Sequence, residues 1–177
     1  MSHSLELLPD EASDRLIRAQ WAALDAAGLE ALSRHQSPSN RPHVTVASVV
    51  RLPDGAEPRL ASLLARSLPV EVRLGPPLVL GPGPRPRVLA RSLVPDGSLL
   101  ALHAEAALVL GVPADSRYAT GRWVPHLSLA RRLTDAEVGK ALGVLADDEG
   151  TFVRFTGGRL WDSGAREETD LTSPSVG

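Results

Sequence analysis

Pro42-His43-Val44-Thr45-Val46-Ala47 and Pro125-His126-Leu127-Ser128-Leu129-Ala130 are two copies of one pattern: proline, histidine, apolar, hydroxyl, apolar, alanine. They stand about half of the 177-residue chain apart. In an extended strand, side chains two residues apart share a face. Read as strands, the copies place His43 with Thr45, and His126 with Ser128, on one face, and turn residues 44, 46, 127 and 129 into a core. Two such strands side by side bring two imidazoles and two hydroxyls to one spot. A free imidazole titrates near pH ~6.5 and so takes or gives a proton at neutral pH. Breaking a phosphodiester needs both transfers, one from the attacking oxygen and one to the leaving oxygen. Hydroxyls supply hydrogen bonds to the non-bridging oxygens as charge builds there. His43 and His126 are therefore candidate catalytic residues, and Thr45 and Ser128 candidate phosphate-binding residues. One copy alone reads as an ordinary half-buried strand histidine; the matched pair is the signal.

The chain around the two copies repeats as well. Residues 3–8 read as a strand ended by Pro9, and Asp10 as the N-cap of a helix carrying Leu16, Ile17, Trp21 and Leu24 up to Gly28. A polar loop, 33–41, leads into the first histidine strand, 43–50. Pro53-Asp54-Gly55 marks a turn before a helix at 57–68, and Val70-Glu71-Val72-Arg73-Leu74 alternates as a strand. Residues 76–86 read as a loop and linker. The order then recurs: a strand at 87–94, a helix at 98–110, a polar loop at 112–122 and the second histidine strand at 124–131. Thr134 with Glu137 is a capping box opening a helix to about 146. Strands at 151–156, 158–163 and 166–171 follow, with Asp147-Asp148-Glu149 as an acidic helix end. The expectation is one domain over 1–177, with pseudo-symmetric lobes at about 1–80 and 86–165 and a frayed tail at 172–177. A pseudo-two-fold axis between the lobes would bring the two motifs into one central cleft.

Composition narrows the function classes. The chain is 43% apolar with 3% aromatic residues, so its core is aliphatic. A net charge of −2 argues against a protein that wraps duplex nucleic acid, which carries a basic excess. With no cysteine, disulfides, thiolate catalysis and cysteine-type zinc sites are excluded, which fits a reducing cytoplasm. The N-terminus lacks the pattern of a signal peptide, and no apolar run approaches the ~20 residues of a membrane span. Neither a His-Glu-x-x-His zinc signature nor a Gly-x-x-x-x-Gly-Lys phosphate loop occurs.

Four further residues are candidates for substrate contact. Arg131 follows the second motif, alternating away from Ser128 in a regular strand. Arg41 precedes the first motif. Tyr118, beside Arg117, lies in the loop before the second motif and is placed to wall a cleft. Trp123 can stack a base at the rim or fill the core. Trp21 and Trp161 read as core residues, and His103, in an Ala/Leu-rich helix, as structural or exposed.

On His43-Val44-Thr45-Val46 and His126-Leu127-Ser128-Leu129, with Pro125 before and Ala130-Arg131 after, the chain resembles the two-histidine (2H) phosphoesterase superfamily, in its 2′-5′ RNA ligase and cyclic phosphodiesterase branch. The resemblance runs over roughly 3–165 in order of elements, and serine replaces the commoner threonine in the second motif. It implies an α+β bilobal duplicated fold, two antiparallel sheets flanking a central cleft with helices outside. It implies hydrolysis of 2′,3′-cyclic phosphates on RNA ends or small nucleotides to a 2′-phosphate, with the reverse reaction joining ends through a 2′-5′ bond. It implies no metal and no cofactor. The partners expected are RNA ends or small cyclic nucleotides rather than duplex DNA or membrane, acted on by a cytoplasmic monomer. A non-catalytic nucleotide or RNA-end binding module on the same fold is the alternative, and a small-molecule phosphoesterase outside RNA metabolism a third reading. The sequence leaves open which histidine is acid and which base.

Overall fold

A computed structural model describes residues 1–81, 86–145 and 150–172. In chain order the elements are β1 (His3–Pro9), α1 (Glu11–Ala26), a 3-10 turn (Leu32–Arg34), β2 (Val44–Val49), α2 (Ala56–Ser67), β3 (Val70–Leu80), β4 (Arg87–Val94), α3 (Gly97–Leu110), β5 (His126–Leu133), α4 (Asp135–Val144), β6 (Phe152–Asp162) and β7 (Glu167–Asp170). The helix starts follow from their caps. The Asp10 carboxylate accepts the Ser13 N–H at 2.8 Å, and Asp96 accepts from Leu99 at 2.9 Å. Thr134 and Glu137 close the capping box that opens α4. Gly111 ends α3 at a φ of 65°, a conformation open to glycine without Cβ strain.

The strands run in the order β2-β1-β6-β3-β4-β5, with β7 added to β6. Every pairing is antiparallel. The α+β antiparallel fold is as the sequence leads one to expect, but the two expected sheets are halves of one. Val70–Arg73 pair with Phe152–Phe155 and stitch β3-β4-β5 to β2-β1-β6. Exchanging β1 with β4, β2 with β5 and β3 with β6 maps the strand order onto itself. Each half thus lends its third strand to the other, β6 lying beside β1 and β3 beside β4.

Two stretches read as breaks are strand. β3 continues through Gly75-Pro76-Pro77 to Leu80, because an irregularity between Leu74 and Pro77 lets pairing with β4 resume. There is no room for a side chain at Gly75, whose added Cβ would meet the Ser92 hydroxyl at 2.4 Å. β6 is one strand rather than two, running through Gly157-Gly158 with its pairing to β1. Of the stretch read as a linker, residues 82–85 lie outside the described residues, as do the acidic 147–149 and residues 173–177 of the tail.

One apolar cluster joins the sheet and helices: Leu5 and Leu7 of β1, Ile17, Trp21 and Leu24 of α1, Leu60, Leu63 and Leu64 of α2, Leu99 and Leu102 of α3, and Phe155 of β6. α1 packs on β5 and α3 on β2, so each half's first helix covers the other half's histidine strand. α3 lies between α2 and β2, with Leu100 and Leu108 exposed on its outer side. β2 and β5 are the two ends of the strand order, yet they contact each other. The sheet therefore curls until its edges meet. No described helix is long and apolar enough to cross a membrane.

Candidate active site

The two motifs fold alike. From Pro42 to Ala47 burial runs buried, half-buried, buried, half-buried, buried, buried, and from Pro125 to Ala130 it runs the same way. His43 and Thr45 thus stand on one face with Val44 and Val46 in the core behind them, and the second copy repeats this. Curling of the sheet brings the two faces together, close enough that the charge on His43 acts on His126.

Each imidazole is held by the same device. His43 Nδ1 lies 2.8 Å from the Arg41 carbonyl, and His126 Nδ1 lies 2.8 Å from the Val124 carbonyl. A carbonyl only accepts, so Nδ1 carries the hydrogen in both rings and Nε2 is left to exchange a proton with a ligand. The hydroxyls of Thr45 and Ser128 have no hydrogen-bond partner among the described residues. Their carbonyls are both held from behind by an indole. Trp21 Nε1 donates to Ser128 O at 3.0 Å, and Trp123 Nε1 donates to Thr45 O at 3.0 Å. Each indole thereby satisfies a backbone acceptor on one of the two end strands of the sheet.

The charges around the two rings differ. Glu6 of β1 pairs in register with Thr45, is buried, and sets Oε1 3.8 Å from His43 Nε2. Its Oε1 accepts the Ser4 hydroxyl at 3.0 Å, its Oε2 accepts Arg159 Nε at 2.9 Å, and Arg159 Nη2 lies 2.8 Å from Oε2 as an ion pair. Arg159 also donates to Ser39 O at 3.1 Å and pairs with Glu168, which accepts Arg41 Nη2 at 2.7 Å. Burial raises the Glu168 carboxyl, but the hydrogen bonds and charges of Arg41 and Arg159 outweigh this and hold it below its ordinary range. In the second half the residue paired with Ser128 is Ala90. Burial pushes the His126 imidazole below its ordinary value. The hydrogen bond to Val124 opposes this, and the positive charges of His43 and Arg117 add to it.

His43, His126, Thr45 and Ser128 meet at this site. Of the other four candidates, Arg41, Tyr118 and Trp123 have side-chain partners within the protein, and Arg131 is exposed. Arg41 is tied to Glu168, and its contribution to the site is its carbonyl. Trp123 lies flat on buried His103, ring centroids 4.2 Å apart and planes 3° apart, which engages one face of its ring. Tyr118 lends its carbonyl to His103 Nε2 at 2.9 Å, and its ring lies under the Arg117 guanidinium at 5.1 Å. Arg131 is exposed, and its N–H bonds the Glu30 carbonyl where β5 turns irregular at Arg132, whose φ is 58°. Trp161, expected in the core, is half-buried on the Ser4 and Glu6 face, with Arg159 at 5.5 Å over its ring.

The sequence reading missed Glu6, Arg159 and Arg117. Glu6 interrupts the apolar run of β1, and a carboxylate between Leu5 and Leu7 was the available signal. Its partner lies 153 residues away, at a distance no local pattern spans.

The family model of the 2′-5′ RNA ligase superfamily matches residues 8–161, a span that includes both motifs. The chain belongs to this superfamily. Solved structures share the superfamily member's fold over nearly its whole length. The Thermus thermophilus protein TT0787 is 20% identical with a TM-score of 0.55, over 97% of this chain and 95% of that one. Kluyveromyces marxianus Usb1 is 13% identical with a TM-score of 0.54, over 97% of this chain and 98% of that one. The same Usb1 with uridine monophosphate matches with a TM-score of 0.52 at 14% identity, over 97% of this chain and 98% of that one. No curated protein matches the chain in sequence.

Proposed function

We propose that the protein is a phosphoesterase of the 2H type that hydrolyses a 2′,3′-cyclic phosphate, on an RNA end or a nucleotide, to a 2′-phosphate, with 2′-5′ joining as the reverse reaction. The observation that carries this reading is the paired geometry: two imidazoles with Nδ1 tied to a carbonyl at 2.8 Å, beside two hydroxyls without protein partners among the described residues. One neutral imidazole takes a proton from water as its oxygen bonds to phosphorus. The P–O3′ bond breaks on the opposite side, and the protonated imidazole gives its proton to O3′. Thr45 and Ser128 donate to the non-bridging oxygens, whose charge grows as phosphorus becomes five-coordinate. The chain's own groups thus supply both proton transfers and the charge stabilisation, with no step assigned to a metal. Superfamily membership and the uridine monophosphate in the Usb1 structure support a nucleotide or RNA end as the substrate class.

The test is hydrolysis of 2′,3′-cyclic nucleotides and of short RNAs ending in cyclic phosphate, with chelator present and the product identified. Expected is turnover to the 2′-phosphate, reduced about 10²-fold or more by His43→Ala and by His126→Ala. Tight binding without turnover would instead mark a binding module, and turnover only with added metal would sink the mechanism.

A further inference from the structure

We infer that His103 is a positioning residue for the phosphoesterase reaction: its buried imidazole fixes Trp123, and through Trp123 the segments that carry Thr45 and His126. The inference rests on the phosphoesterase reading above and adds a residue outside both motifs. It starts from a difference in how the two indoles are carried. Trp21, which holds the Ser128 carbonyl, belongs to α1 and is fixed by that helix. Trp123, which holds the Thr45 carbonyl, lies in a stretch of turns between α3 and β5. A side chain on such a segment keeps its place only where something packs against it.

His103 supplies that support at two points. Its ring lies flat on Trp123, centroids 4.2 Å apart and planes 3° apart. Its Nε2 donates to the Tyr118 carbonyl at 2.9 Å, which ties down the start of the segment 118–123. Between these points the N–H groups of Arg122 and Trp123 donate to the Ala119 carbonyl at 2.9 and 3.2 Å, closing the turn. His103 is 2% exposed, and the other buried side chains of α3 are apolar. An aliphatic residue would fill this place without the cost of burying a polar ring. The imidazole instead offers a flat face and a donor in one side chain. Two lines run from Trp123 to the chemistry. Its Nε1 donates to the Thr45 carbonyl at 3.0 Å and so fixes the residue whose hydroxyl faces the phosphate. Its backbone leads directly into Val124, whose carbonyl lies 2.8 Å from His126 Nδ1 and orients that ring. One buried imidazole thus stands behind a hydroxyl of the first half and a histidine of the second. A displacement too small to unfold the protein is enough to misalign both.

The experiment is a double-mutant cycle in kcat on a 2′,3′-cyclic nucleotide, run well below the melting temperature of every variant. His103→Leu removes the flat face and the donor, and Trp123→Phe keeps a ring but removes the indole donor. Each single variant is expected to lose about tenfold in kcat. The double variant is expected to stay within about threefold of the slower single one, because His103 acts through Trp123. His103→Phe, which keeps a flat ring on Trp123, is expected to lose less than His103→Leu. If His103→Leu does not fold, His103→Gln, which keeps a donor for the Tyr118 carbonyl but no flat face, takes its place in the cycle. A readout apart from activity is the indole N–H resonance of Trp123 in the free protein, expected to move in the His103 variant while that of Trp21 stays. Losses that multiply in the double variant would overturn the inference. So would an unchanged kcat with only a lower melting temperature, which would leave His103 a core residue, or a Trp123 resonance that does not move. Absence of wild-type turnover would overturn the phosphoesterase reading itself, and this role with it.

Discussion

The two halves of the site carry the same backbone device in different electrostatic settings. In both, a half-buried histidine is pinned through Nδ1 to the carbonyl two residues before it, and an indole holds the carbonyl of the hydroxyl residue two positions after it. Behind His43 stands a buried carboxylate in a ring of ion pairs; at the matching place beside Ser128 stands Ala90. Duplication of the fold delivers the geometry twice, because the strand order is symmetric. The residues outside the motifs then break the symmetry.

The comparison can be broken most severely at Arg159. Arg159→Ala leaves Glu6 as an unpaired buried charge, and removing one partner of such a pair costs about 3–5 kcal/mol. Urea unfolding is the measure, and an unchanged midpoint would show that the network carries little of the first half's stability. The symmetric part of the comparison is probed at the hydroxyls. Thr45→Ala and Ser128→Ala are expected to lose about 10²-fold in kcat each, as donors to the developing charge. Thr45→Ser and Ser128→Thr keep the hydroxyl and are expected to stay near wild type. A large loss at one position alone would show that the phosphate is held from one side.

A smaller effect comes from pH. Burial is the leading cause that pushes His103 and His126 below the ordinary histidine value. The unfolded chain therefore binds more protons than the folded chain once pH falls below about 6.5. Their contribution to stability is full above that pH and is lost progressively below it. Urea midpoints at about pH 7.5 and 5.5 should show the drop, and His103→Gln should shed part of it. A midpoint that rises on acidification would contradict the sign.

Much of this arrangement is legible in the sequence, and the remainder has physical reasons for being hidden. The alternation of Val44, Val46, Leu127 and Leu129 with histidine and hydroxyl specifies both strands and the face each side chain takes. Asp10 and Thr134 announce helix starts because caps are local chemistry. Gly75-Pro76-Pro77 and Gly157-Gly158 mislead, because prolines and glycines read as breaks while tertiary pairing carries the strands through. At Gly158 a Cβ would meet Leu64 Cδ1 at 2.4 Å, so the glycine there serves close packing of α2 on β6. The single curled sheet was hidden because the ladder that joins its halves pairs residues about eighty positions apart. The Glu6–Arg159 pair was hidden for the same reason, and with it the difference between the two histidines.

The central claim is that His43 and His126 work as one site. It is tested most directly by initial rates of 2′,3′-cyclic nucleotide hydrolysis for the wild type, His43→Ala, His126→Ala and the double variant, with chelator present. Residues acting as a unit give a double variant about as slow as the slower single variant. That is the predicted result, with each single loss about 10²-fold or more. Losses that multiply in the double variant, or turnover retained in either single variant, would contradict it.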